Sequence, residues 1–242
     1  MDIKDKKTED ALHHGLDNNI ELKNYNRWIY ENMQEAVGKK VMEIGCGMGA
    51  MIDFAAAKGR KITGVDIDDY FVEYSRNKYK DDSDIKIVKS DCMALDGKFK
   101  KGSFDSIIII NVLEHIEFED KALRIMNNML FKGGKLAVFV PAFRSIYGRL
   151  DKSVGHYRRY TKETLRKVLE HNGFEIEKIY YMNFIGFFGW YFNAKLFERM
   201  PEKQSVFFDK YIVPVEKIIE KLIKPPIGQS IVAIAVKKQD II

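Results

Sequence analysis

The 242-residue sequence predicts an α/β fold, a doubly wound and mostly parallel sheet with helices on both faces. Three observations carry that expectation. Short apolar runs alternate with segments of helical periodicity from about residue 20 onward, at the spacing of βαβ units. The run from Phe104 to Ile110 ends in four consecutive isoleucines, as a strand buried on both faces at a sheet centre does. Three glycines, Gly45, Gly47 and Gly49, directly follow the first apolar run, at the strand end where such sheets bind ligands.

The elements follow in order. Ile20 to Val37 carries apolar residues at helical spacing and stops at Gly38. Lys40 to Ile44 reads as a buried strand, Met51 to Lys58 as a helix ending at Gly59, Lys61 to Asp66 as a second strand and Asp69 to Lys80 as a second helix. Ile85 to Lys89 is the third strand, and Phe104 to Ile110 the fourth. A helix over Phe118 to Leu130 leads through a turn at Lys132-Gly-Gly-Lys135 into a strand from Leu136 to Val140, which Pro141 closes. Thr161 can cap a helix running to Asn172, with Gly173 past its end; strands then span Phe174 to Tyr181 and Ser230 to Lys237. The stretch between those two strands is too long for a loop and is expected to be a helical insertion. The chain thus divides into an N-terminal helical segment (1–38), a core (39–182), an insertion (183–229) and a terminal strand (230–242), all within one domain.

Composition narrows the class. Hydrophobic residues at 46% and charged residues at 31% describe a globular chain with a sizeable core, which excludes disordered and collagen-like proteins. Two cysteines, Cys46 and Cys92, are too few for a disulfide framework and suit a reducing compartment. The net charge of +5 comes without a dense basic block or a base-flipping motif, so no nucleic-acid partner is expected. Met1 to Asp10 lacks an apolar stretch, so no signal peptide is expected, and Ile179 to Ala194 is too short for a membrane span. A cytoplasmic location is therefore expected, with peripheral membrane contact left open.

The glycine cluster alone also satisfies the dinucleotide fingerprint. Three carboxylates separate the readings. Glu43, two residues before Gly45, would repel a pyrophosphate and attract a cation. Asp66 ends the second strand at the ribose-binding position, and Asp91 follows the third strand at the same edge. Three acids around one glycine turn suit an adenosyl ligand carrying a sulfonium and an ammonium.

At these residues the sequence resembles the class I S-adenosylmethionine-dependent methyltransferases, through Glu43-Ile-Gly-Cys-Gly-Met-Gly49, Gly64-Val-Asp-Ile-Asp68, Ser90-Asp-Cys-Met93, Phe104-Asp105, Asn111-Val-Leu-Glu-His-Ile116 and Lys132-Gly-Gly-Lys-Leu136. The resemblance covers roughly residues 20 to 182 plus the terminal strand. It implies a seven-stranded Rossmann-like sheet whose last strand, Ser230 to Lys237, is antiparallel. It implies S-adenosylmethionine as cofactor and S-adenosylhomocysteine as product. Glu43, Gly45, Gly47 and Gly49 would form the methionyl side, Asp66 would hold the ribose hydroxyls, Ile67 would pack on adenine, Asp91 and Cys92 would meet its amino edge, and Asn111 and Val112 would line the pocket from the fourth strand.

For the acceptor, the segment Gly155-His-Tyr-Arg-Arg-Tyr160 offers Tyr157, Arg158, Arg159 and Tyr160, with guanidinium groups suited to carboxylate or phosphate. Similar segments occur in methyltransferases that look like modifiers of saccharides or lipid-linked intermediates, so a small-molecule, saccharide or lipid-linked acceptor is expected. His115 and His156 are the candidate bases for an oxygen or nitrogen nucleophile. No Asp/Asp/Asn metal trio is legible, and metal-independent transfer is expected. The aromatic run Phe184 to Phe192 is expected mainly in the core. The stretch from Tyr211 with Lys217, Lys221 and Lys224 along one side keeps contact of 184–224 with a membrane surface open. The rival readings are an NAD-dependent oxidoreductase, disfavoured by Glu43 and Asp91, and a non-catalytic cofactor-binding scaffold of the same fold.

Overall fold

Seven strands form one sheet in the order β3-β2-β1-β4-β5-β7-β6. The computed structural model describes residues 22–56, 59–192 and 206–238. The strands are β1 (Lys40–Ile44), β2 (Lys61–Asp66), β3 (Ile85–Lys89), β4 (Phe104–Ile110), β5 (Leu130–Pro141), β6 (Phe174–Met182) and β7 (Ser230–Lys237). Pairing is parallel from β3 across to β5, and β7 runs antiparallel between β5 and β6. The chain steps outward from β1 to β3, then restarts at β4 on the other side of β1. The gap between β1 and β4 is therefore the topological switch point, where such sheets open a ligand crevice.

Alternation along the central strand divides the core. Ile107 and Ile109 face one side with Leu136, Val138, Ile231 and Ala233, covered by α4 (Glu119–Met129) and α6 (Lys162–His171). Ile108 faces the other side with Val41, Phe139 and Val232, covered by α1 (Lys23–Met33) and α2 (Ala50–Ala56), next to α3 (Asp69–Lys78). A strand apolar on both faces is what a covered parallel sheet requires. The short α5 (Arg149–Ser153) lies between α4 and α6 in the chain. Local chemistry sets the helix starts. Asp68 accepts from the Tyr70 amide ahead of α3, and Thr161 forms a reciprocal capping box with Thr164 at α6. Trp28 is buried in the core, while Tyr25 packs edge-on against Trp28 and Phe139.

The structure corrects three expectations. Lys132-Gly-Gly-Lys135 is not a turn ahead of the strand; β5 already begins at Leu130, and Phe104 pairs with Leu130 before Ser106 pairs with Lys135. The intervening residues bulge out, with Gly133 at φ +82°, a conformation that glycine adopts without strain. Second, α7 (Phe184–Phe192) contains no buried residue, so its aromatics are not core. Third, of the three lysines expected along one side of α8 (Val213–Leu222), Lys221 is exposed but Lys217 and Lys224 are engaged. Lys217 pairs with Glu31 and Lys224 reaches Asn32 and lies over the Tyr180 ring, whereas Ile218, Ile219, Leu222 and Ile223 point to solvent, Leu222 at 82% exposure. Asp209, just before α8, accepts from the Asn24 and Tyr25 amides and so caps α1 from the insertion. The parts of the sequence expectations that fall on residues 1–21, 57–58, 193–205 and 239–242 lie outside the described residues. Among the described residues no helix is long and apolar enough to cross a membrane.

Candidate functional site

The turn after β1 is built from positive-φ glycines: Gly45 at +72°, Gly47 at +49° and Gly49 at +81°. A Cβ at Gly45 would run into the Val112 side chain, and one at Gly49 into the Tyr79 hydroxyl, whereas at Gly47 no protein atom lies within 4 Å. Gly47 is thus the point where backbone is open to a ligand. Its amide donates to Asp66 Oδ2 at 2.8 Å, and the Asp68 amide donates to Oδ1 at 3.0 Å, so the acid at the end of β2 is locked onto the glycine turn.

The electrostatics suit a cation. Glu43 is buried in β1, and burial, then the nearby Asp66 and Asp53 carboxylates, push its carboxyl well above the usual range despite Lys78. Asp66 is also raised by burial, with the amides of Asp68 and Gly47 working the other way. Acids crowded until they resist ionising are relieved by a positive ligand. Ile67 stands 65% exposed at the rim, free to cover a flat ring. Asp91 accepts from the Met93 amide at 2.8 Å and starts a short turn in which Cys92 is half-buried. Burial and Asp91 raise the Cys92 thiol to about 12, and Cys46 is pushed up likewise, so both are packing groups. Asn111 takes φ +51° directly after β4, beside Val112. The cofactor residues named from sequence therefore gather along the edges of β1, β2, β3 and β4 around the switch point, and an adenosyl sulfonium fits their donor set.

The residues expected on the acceptor side come from two loops. His115 follows β4 and His156 follows β5, and their rings meet edge to face at 4.5 Å. His156 Nδ1 lies 2.9 Å from Asp151 Oδ1, and that oxygen also accepts from Arg159 Nε at 2.7 Å. Burial raises the Asp151 carboxyl, but the hydrogen bond with His156 and the Arg159 charge outweigh it and hold it below its ordinary value. Burial, then His156, lowers His115 to about 4, so it stands neutral around pH 7. Glu114 is fully buried, which raises it to about 8 against the pull of Arg159. Asp151 went unnoticed in the sequence, where a lone aspartate in a polar loop gives no signal.

Arg158 and Arg159 are not free for an acceptor. Arg158 donates to the Ile116 and Glu117 carbonyls at 2.8 Å each, and Arg159 is buried against Asp151, the Ala142 carbonyl and the face of Trp190. Tyr160 donates to Glu119. Of the four residues named for acceptor contact, Tyr157 alone is exposed, at 54%. The loop uses its guanidinium groups to hold the histidines in place. Beside it, Phe143, at φ +62°, stacks on Tyr181 at 4.8 Å and meets Phe187 of α7 at 5.3 Å, forming an aromatic shelf.

Residues 42–138 match the methyltransferase domain family. The chain is 30% identical over 156 residues to the sterol 24-C-methyltransferase of Yarrowia lipolytica, covering 58% of this chain and 40% of that protein. It is 25% identical over 161 residues to the ubiquinone biosynthesis O-methyltransferase of Xanthomonas euvesicatoria pv. vesicatoria, covering 60% and 66%. The matched stretch thus spans from two fifths to just under two thirds of those relatives. The crystal structure of a SAM-dependent methyltransferase from Archaeoglobus fulgidus shares the fold at TM-score 0.61 and 22% identity, over 88% of this chain and 93% of that one. The matched domain, two fifths of this chain, agrees with the strand order and the acid-ringed glycine turn, and in all three the chain is similar to the class I S-adenosylmethionine-dependent methyltransferases.

Proposed function

We propose that the chain transfers a methyl group from S-adenosylmethionine to an oxygen or nitrogen of a small-molecule acceptor with an apolar body, saccharide- and lipid-linked acceptors included. The observation that carries this reading is the pair Glu43 and Asp66, buried and resisting ionisation beside the turn at Gly47, where a Cβ would meet open space. When bound, the sulfonium supplies a methyl carbon with a good leaving group already attached. The protein's work is then alignment and exclusion of water. The Gly47 backbone and Asp66 hold the ribose end, Ile67 covers the adenine, and Val112 limits depth beside Gly45. His115 and His156 stand where the acceptor's proton has to go, with Asp151 and Arg159 fixing the His156 ring. Phe143 and Phe187, half-buried and backed by the buried Tyr181, offer ring area for the acceptor body. The names of the two relatives, which specify a sterol and ubiquinone biosynthesis, favour an apolar acceptor over a sugar.

Calorimetry with S-adenosylhomocysteine and NAD side by side tests the donor. Micromolar binding of the first and none of the second is expected, and Asp66→Ala weakens it by about tenfold or more, the worth of one charge-assisted contact. Tight NAD binding, or an Asp66→Ala variant with native affinity, overturns the reading. Quinols, sterols and saccharides offered in turn with labelled donor then sort the acceptor; tight cofactor binding with no turnover on any of them favours the scaffold reading. The apolar outer residues of α7 and α8 favour peripheral membrane contact through 184–224. Flotation with liposomes at low and high salt tests it, and chain that stays unbound in both retires it.

A further inference from the structure

One carboxyl at the acceptor side is left unserved by the protein. Both carboxylate oxygens of Glu114 are buried with no hydrogen-bond partner. A buried polar group without partners is costly, and it calls for an occupant. Ring nitrogens face it. His156 Nε2 lies 3.9 Å from Glu114 Oε1, too far for a hydrogen bond, and one donor atom each from Glu114, His115 and His156 falls within 4.8 Å of the other two. Donors bonded at about 2.0–2.2 Å to a shared tetrahedral ion stand roughly 3.3 Å apart, so modest side-chain rotations close this set.

The surroundings match a metal centre in a second, independent way. His156 uses Nδ1 on Asp151, which leaves the Nε2 lone pair directed at Glu114, and Asp151 is itself held by Arg159 at 2.7 Å. A carboxylate behind a histidine is how proteins fix the tautomer and orientation of a metal-ligating ring. Two histidines and one glutamate are a donor set that zinc accepts with a fourth position open.

We propose that Glu114, His115 and His156 bind one divalent transition-metal ion of the zinc type, its open position facing the acceptor. This replaces the metal-independent transfer expected from sequence, which looked for an Asp/Asn trio and not for a histidine pair drawn from two loops. With the ion bound, the ring nitrogens of His115 and His156 no longer serve as bases; the ion instead lowers the proton affinity of an acceptor hydroxyl, whose proton leaves to water. That last step rests on the methyl-transfer reading; ion binding does not.

The test uses the full chain stripped of metal with chelator and dialysed, titrated with Co2+ and followed by its visible absorption, then with Zn2+ against a coloured chelator. One equivalent of either ion is expected, at a single site. Glu114→Gln, His115→Asn and His156→Asn each weaken binding by about tenfold or more, with S-adenosylhomocysteine affinity and melting temperature near native. Three separate ligand variants keep the comparison open if one of them folds poorly. A native chain that takes up no stoichiometric ion, or folded variants that keep native affinity, overturns the proposal. Cofactor affinity is measured separately, so a failed metal titration and a failed donor reading are told apart.

Discussion

Gly45 lies directly against the Cγ2 methyl of Val112, so the turn leaving β1 and the turn leaving β4 touch with no space for a Cβ between them. Gly45 also holds φ +72°, which costs an alanine about 1–2 kcal/mol before any collision is counted. Gly45→Ala is therefore expected to lower the melting temperature by several degrees and to abolish cofactor binding. Gly47 separates the two effects. It shares a positive φ, but a Cβ there would meet no protein atom within 4 Å, so Gly47→Ala should cost only about 1–2 kcal/mol of stability while its methyl intrudes on the cofactor. Thermal melts paired with S-adenosylhomocysteine calorimetry check both variants. A Gly47→Ala chain with native affinity would remove the open backbone from the site.

Arg159 and Asp151 form a buried ion pair at 2.7 Å, and Asp151 passes that order on to His156. Arg159→Ala removes the charge partner of a buried carboxylate and leaves it only His156 and the Gly148 amide, at an expected cost of about 3–5 kcal/mol. Denaturant unfolding should show it. Arg158 is half-buried on two carbonyls and Glu119, so Arg158→Ala should cost less, about 1–3 kcal/mol, and should change acceptor KM through loop position. Equal losses in the two variants would contradict the burial difference.

What the sequence displayed follows from how local each signal is. Strands buried on both faces read directly as apolar runs, so β1, β2 and β4 were legible, as were Gly45, Gly47 and Asp66, whose roles depend on the strand end they occupy. Lys132-Gly-Gly-Lys135 was misread because a glycine pair signals a turn, while strand pairing here needs only backbone and tolerates a bulge. Lys217 and Lys224 are held by Glu31 and Asn32, distant in sequence, so two lysines that look free in the sequence are docked while Lys221 stays exposed. Glu114, Asp151 and His156 become one cluster only when the segment after β5 folds back over the turn after β4. No local pattern announces that return.

Glu216 and Glu220 stand one helical turn apart on α8, aimed at the start of α7. Glu220 accepts from the Asn183 amide at 3.3 Å and the Phe184 amide at 2.9 Å, and Glu216 from the Ile185 amide at 2.6 Å, while the second Glu216 oxygen is buried without a partner. Burial raises both carboxyls, and their mutual proximity raises Glu216 further, to about 7 from an ordinary 4.5; the Ile185 amide opposes it, and for Glu220 the amides of Phe184 and Asn183 and the charge of Lys224 do. The folded chain thus holds a proton that the unfolded chain releases near pH 4.5. The stability this contributes is complete below pH 4.5 and is lost as pH rises through about 7. Glu216→Gln keeps an acceptor for Ile185 and cannot ionise, so it should gain on the native chain as pH rises across that window and match it in acid. Since Glu114 and His115 also titrate, the informative quantity is the difference between the two unfolding curves. A difference that stays flat from acid to pH 8 would show that Glu216 enters the fold already charged.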